Sequence, residues 1–265
     1  MNNDSLVCVG RSGQYDDEFY RPYVDGSYRS AAEYVRVLSQ YFKPKSVVDF
    51  GCGRGAWLKA FRENGAEEVI GLDGKWNSQE KMIDQNIRFI PVNLNRPIEL
   101  ERHYELAISL EVAEHLEQSS AADFVGSVTG AADLVMFGAA YIGQGGTDHI
   151  NERRHTYWAK LFEERGFRAY DIFRPVIWGC SDVEYWYQQN TFLYVKVGSM
   201  IEGVLERFGV KPVVNLSFMD CVHPTLYHYK LLSEQSAGTM IGELVRRVIP
   251  KRILPLALRV KRSLR

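Results

Sequence analysis

Apolar residues gather in short runs from Ser46 onward, at 47–50, 69–72, 87–92, 106–110 and 134–139, each bounded by polar or glycine-rich chain. Runs of this length predict buried strands. Between and after them lie segments with helical spacing at 56–64, 77–84 and 118–130, and a short loop around Pro97. Upstream, Ala31, Tyr34, Val35 and Leu38 repeat on one face, which predicts a helix over 30–42 with Ser30 as its cap and Pro44 beyond its end. Runs at 167–173 and 191–197 predict a sixth and a seventh strand. Strands alternating with helices imply an α/β, Rossmann-like, doubly wound and mostly parallel seven-stranded sheet. The layout expected is an N-terminal arm at 1–29 that folds over a ligand, a core at 30–200 and a helical extension at 201–265.

In such a sheet the ligand lies at the carboxyl ends of the strands, so those ends carry the chemistry. The first strand runs through Asp49 into Gly51-Cys52-Gly53-Arg54-Gly55, a turn whose glycines let a ligand approach the backbone closely. Its spacing is neither the dinucleotide fingerprint nor a triphosphate-binding loop. The second strand ends in Asp73, where a carboxylate can accept from two ribose hydroxyls. The third ends in Val92-Asn93-Leu94 and the fourth in Ser109-Leu110-Glu111. Together the series DFGCGRG, GLD, VNL and SLEVAEHL resembles the class I S-adenosylmethionine-dependent methyltransferases over roughly 30–171. The resemblance implies that Gly51, Gly53 and Gly55 border the cofactor's methionine side, that Asp73 binds its ribose, that Asn93 and Leu94 flank its adenine, and that Asp49 and Leu110 belong to the same cofactor site. Many relatives carry Asp where this chain has Asn93, and an amide oxygen still accepts from the adenine amino group.

The acceptor side is carried by Glu111, Glu114 and His115, then by Asp148, His149, Asn151, Glu152 and His155. If the chain turns helical after Leu110, positions 111, 114 and 115 share one face. E-x-x-E-H with a later histidine is similar to the metal site of small-RNA 2′-O-methyltransferases, and E-x-x-E-H alone also resembles that of quinone-pathway O-methyltransferases. That likeness implies Mg²⁺, Mn²⁺ or Zn²⁺ on Glu111, Glu114, His115 and His149. Without metal, the same two carboxylates and imidazole cap and support the helix, and His149 serves as general base with His115 and Glu111 beside it. The Gly143–Asp148 stretch is expected to carry His149 as a mobile loop, and a helix capped by Asn151 is expected to run to Arg165. His103 and His155 are expected at the surface.

Tyr185-Trp186-Tyr187-Gln188-Gln189-Asn190 offers aromatic faces and amides suited to a sugar or nucleoside. With Cys221-Val222-His223-Pro224, it is similar to bacterial sugar and small-molecule O-methyltransferases, which tilts the acceptor toward a glycan or other small molecule and makes His223 a second candidate base. The 265 residues carry a net charge of −1, which gives no global case for nucleic acid. RNA ribose 2′-O-methylation stays open on the metal-like quartet and the basic tail, as does a non-catalytic cofactor-binding scaffold. Cysteines at 8, 52, 180 and 221 without a short pairing, and no leader pattern in 1–13, predict a cytoplasmic protein. The stretch 244–265 has eight Lys and Arg and no acid, with Ile253, Ala257, Val260 and Leu264 on one helical face, a pattern compatible with peripheral contact at the inner membrane.

Overall fold

The computed structural model describes residues 17–233, with side chains from 25 onward. The aromatic residues expected in the arm before 25, and the basic stretch at 244–265, lie outside the described side chains. Two compact units divide between Cys221 and Val222. The first holds seven strands: β1 Ser46–Phe50, β2 Glu68–Asp73, β3 Arg88–Pro91, β4 Leu106–Leu110, β5 Leu134–Gly138, β6 Phe167–Tyr170 and β7 Phe192–Lys196. They form one sheet in the order β3-β2-β1-β4-β5-β7-β6. The strands from β3 to β5 run parallel, and β7 is antiparallel to both its neighbours. Its helices are α1 Asp17–Leu38, α2 Ala56–Glu63, α3 Ala121–Ala131, α4 His155–Glu163, α5 Arg174–Ile177, α6 Tyr185–Asn190 and α7 Met200–Arg207. In the second unit, 224–233 is helical.

Strand side chains alternate between two cores because successive Cβ atoms point to opposite faces. Val47, Leu106, Ile108, Met136, Leu193 and Val195 pack with α1 and α2 residues such as Tyr34, Leu38 and Leu58. Val48, Ala107, Val135, Phe137, Phe192 and Tyr194 pack on the other face with Phe124, Val128, Trp158 and Phe162. No described helix is long and apolar enough to cross a membrane.

Three expected elements come out differently. The first helix begins at Asp17 rather than at a Ser30 cap: the Ser30 hydroxyl donates back to the Gly26 carbonyl at 2.8 Å and accepts from Glu184 N–H, so it serves the helix interior. The helix expected over 77–84 reduces to a 3₁₀ turn, Gln79–Lys81. Asn77 and Asp84 spend their side chains on Ser78 N–H and Asn86 N–H, local bonds that compete with a helix. The last helix of the site region starts at His155, because Ile150 N–H and Asn151 N–H both donate to the Glu114 carbonyl at 2.9 Å. Asn151 therefore straps the chain to 113–114 instead of capping a helix.

Candidate active site

The strand order reverses between β1 and β4, and a cavity of about 940 Å³ opens there at the carboxyl ends. One end is built by the turn after β1. Gly51 and Gly53 take left-handed backbone at φ 91° and 52°, and both line the cavity with Asp49, Cys52 and Arg54. Asp73, at the end of β2, accepts from Gly53 N–H at 2.8 Å and Gly74 N–H at 2.7 Å. Burial raises its carboxyl to about 6 against those two amides and the nearby Arg54 guanidinium. Asp49, buried beside it, is pushed well up by burial and by Asp73. Asn77 adds a brace missed in the sequence, accepting from Arg54 at 3.0 Å and donating to the Gly53 carbonyl. Val92, Asn93, Leu94 and Leu110 continue the wall. Gly55 stands off it: at φ 83° it opens α2, and an added Cβ would meet Ile87 Cδ1 at 2.7 Å.

At the other end, Glu111, Glu114, His115 and His149 all line the same cavity. They do not share an α-helical face. Glu111 adopts left-handed backbone, φ 55°, while its N–H still donates to Gly138 and prolongs the β4–β5 ladder. Only Ala113–His115 turns, as one 3₁₀ turn. The strap of 150–151 onto Glu114 is what carries His149 onto His115, with ring centroids 4.8 Å apart and edge to face. One ligand atom from each of Glu114, His115 and His149 lies within 4.8 Å of the others. Glu111 stands outside that trio. Its carboxylate accepts from Asn190 at 2.8 Å and from Gln144 at 3.1 Å, which oppose the rise that burial imposes on it.

Glu114 is fully buried and, among the described residues, neither carboxylate oxygen has a hydrogen-bond partner of sound geometry. Burial, then Glu111, drives its carboxyl well up, although the amides of Glu114 and Ala140 lie close enough to oppose this. Burial and then His149 lower His115. An orphaned buried carboxylate beside two imidazoles is a donor set that fits a divalent cation, which would offset the desolvation that the carboxylate meets alone.

Residues 21–124 match the profile of a methyltransferase-domain family. Among solved structures, DesVI of Streptomyces venezuelae is similar over 68% of this chain and 96% of its own, at 13% identity and a TM-score of 0.50. The small RNA methyltransferase HEN1 is similar over 63% of this chain at 17% identity and a TM-score of 0.47, and only a quarter of the HEN1 chain is spanned. An S-adenosylmethionine-dependent methyltransferase of Archaeoglobus fulgidus is similar over 58% of this chain and 75% of its own, at 19% identity and a TM-score of 0.46. Over 21–124 the chain is thus similar to a methyltransferase-domain family, and its sheet has the fold of DesVI. No curated protein sequence matches it.

Ser27 of α1, Trp57 of α2 and Tyr185, Trp186 and Tyr187 of α6 close the cavity. Gln188, on the same helix, braces the loop ahead of it: its amide donates to the Cys180 and Val183 carbonyls, and its oxygen accepts from Gly179 N–H. Asn190 and Gln144 were legible only as amides near an aromatic run and in a glycine loop. Their role as the partners of Glu111 needs the fold. His155, expected at the surface, is buried; its ring nitrogens face the Met219 carbonyl at 2.8 Å and Asn190 Oδ1 at 3.1 Å. His103 is exposed as expected, and His223 falls in the second unit.

Proposed function

We propose that this protein is an S-adenosylmethionine-dependent methyltransferase that acts on a hydroxyl of a sugar or glycosylated small molecule. The observation that carries the reading is that Asp73 and the glycine turn share one cavity with the Glu114–His115–His149 group and an aromatic wall from α6. The bound cofactor supplies an electrophilic methyl group. Asp73 holds the ribose hydroxyls, Asn93 and Leu94 border the adenine, and the turn at Gly51 and Gly53 receives the methionine part. Tyr185, Trp186 and Tyr187 present flat faces against which a sugar ring packs, Tyr187 buried and the other two half-buried. Without a metal, His149 takes the hydroxyl proton as the bond from oxygen to the methyl group forms and the methyl–sulfur bond breaks. Glu114, His115 and His149 would hold a divalent cation, Mg²⁺, Mn²⁺ or Zn²⁺, whose chemistry is to lower the pKa of a bound hydroxyl.

RNA as acceptor is disfavoured by the charge of the wall. Arg54 and Lys75 are its only Lys or Arg among the described residues, and both neighbour the glycine turn and Asp73 rather than the acceptor end. A purely binding role leaves the orphaned Glu114 without a purpose.

Two measurements test the proposal. Thermal melting with saturating Mn²⁺ or Zn²⁺ is expected to stabilise the native protein by about 2.7 kcal/mol at 100 times Kd, and not Glu114→Ala. Labelled methyl transfer is expected to mark a glycan or glycosylated metabolite fraction. Label entering RNA alone would overturn the acceptor assignment.

A further inference from the structure

Glu152 lies outside the cavity wall, yet it organises the segment that forms part of it. Its side chain is only 17% exposed. One carboxylate oxygen accepts from Gly143 N–H at 2.7 Å; the other accepts from Gly145 N–H at 2.6 Å and meets His149 Nδ1 at 2.9 Å. Gly143 and Gly145 both adopt left-handed backbone, φ 82° and 77°, which turns their N–H groups onto a single anion. The neighbouring arginines turn elsewhere, Arg153 to Asn151 and Arg154 to Tyr141. Helix α4 begins three residues on, so Glu152 is no cap.

A carboxylate oxygen that faces a ring nitrogen can only accept, so Nδ1 carries the hydrogen and a neutral His149 keeps Nε2 bare. The ring is seated tightly. A Cβ added at Gly146 would run into Nε2 and stand 2.8 Å from Cδ2, while His115 meets the ring from another side. Asp148, immediately before it, holds an uncommon left-handed backbone at φ 58°.

We infer that Glu152 is a positioning residue: one carboxylate folds the 143–146 segment and fixes His149 as the Nδ1–H tautomer, leaving Nε2 as the nitrogen offered to the cavity. The inference rests on the reading of His149 as proton acceptor or ligand in methyl transfer. It makes the folding of the loop and the chemical state of the imidazole one event, because a carboxylate that releases the glycines also releases Nδ1.

The test uses the full chain with ¹⁵N-labelled histidine, loaded with S-adenosylhomocysteine, and reads ring tautomers from long-range ¹H–¹⁵N spectra. His149 signals are assigned by their loss in His149→Asn. In the native protein Nδ1 is expected to be protonated and Nε2 bare. Glu152→Gln places an NH₂ against Gly143 N–H or, turned over, against Gly145 N–H and Nδ1. It is expected to deplete the Nδ1–H tautomer and to speed exchange of the Gly143 and Gly145 amides about tenfold or more. Its affinity for S-adenosylhomocysteine should stay within about twofold. An Nε2–H tautomer in the native protein, or a Glu152→Gln variant that leaves tautomer and exchange unchanged, overturns the inference. If that variant does not fold, the native tautomer decides alone. Failure of the native protein to bind S-adenosylhomocysteine would instead fault the functional reading, with the tautomer still readable.

Discussion

Lowering the pH from 8 to 5 should act on Asp73 in two opposite ways. Its carboxyl, ordinarily at 3.8, is raised to about 6 by burial, against the amides of Gly53 and Gly74 and the nearby Arg54. A ribose diol donates to the ionised form, so cofactor affinity is present above 6 and is lost as pH falls through it. At pH 5 about a tenth of the carboxyl is ionised, and the apparent Kd should rise about tenfold relative to pH 8, or about 1.4 kcal/mol. Folding responds with the reverse sign. Because the folded value lies above the unfolded one, the folded chain binds this proton more tightly, and the cost of burying the charge is relieved between pH 6 and 3.8. At full extent that is about 3 kcal/mol. Titration calorimetry with S-adenosylhomocysteine and urea melts at matched pH values, on the native protein and on Asp73→Asn, separate the two. The variant should lose the binding slope, and its stability relative to the native protein should fall on acidification. Affinity independent of pH in the native protein, or a binding slope retained in the variant, would refute the reasoning.

Gly51→Ala places a methyl 2.7 Å from Val112 Cγ1, and closer still to Cγ2, on a backbone at φ 91°. Val112 is stiff at χ1 and adjoins Glu111, so we expect a loss of about 1–3 kcal/mol and weaker S-adenosylhomocysteine binding, read by chemical melts and calorimetry. Tyr34→Phe removes a buried 2.7 Å bond from α1 to the Tyr187 carbonyl and should cost about 1–3 kcal/mol by chemical melts with cofactor affinity preserved.

Most of the parallel half of the sheet was plain in the sequence because β1, β2, β4 and β5 are buried on both faces and read as mainly apolar runs. Leu106–Leu110 was placed to the residue. Asp49, Gly51, Gly53, Asp73, Asn93, Leu94 and Leu110 were legible because each sits at a strand end, a position that periodicity fixes. What the sequence obscured is decided by contacts distant in the chain. Glu111 looked like a fourth ligand by spacing, but Asn190, seventy-nine residues away, claims its carboxylate. His155 looked solvated on a helix, and the Met219 carbonyl claims its ring instead. His149 was singled out correctly as a neighbour of Glu114 and His115, but the cause, a strap of two backbone amides on the Glu114 carbonyl, leaves no side-chain signature. Glu152 stood among the candidates without a role for the same reason, since two of its three partners are backbone N–H groups.

The stretch between β6 and β7 is braced both by α1, through Ser30 and Tyr34, and from within. Gln188 ties Gly179, Cys180 and Val183 together from within, while three neighbouring aromatic residues face the cavity. Those aromatics belong to one chain segment, distant in sequence from the turn after β1 and from Asp73. Such a segment can diversify: new side chains at 185–187 would reshape one wall of the cavity while the glycine turn and Asp73 stay as they are.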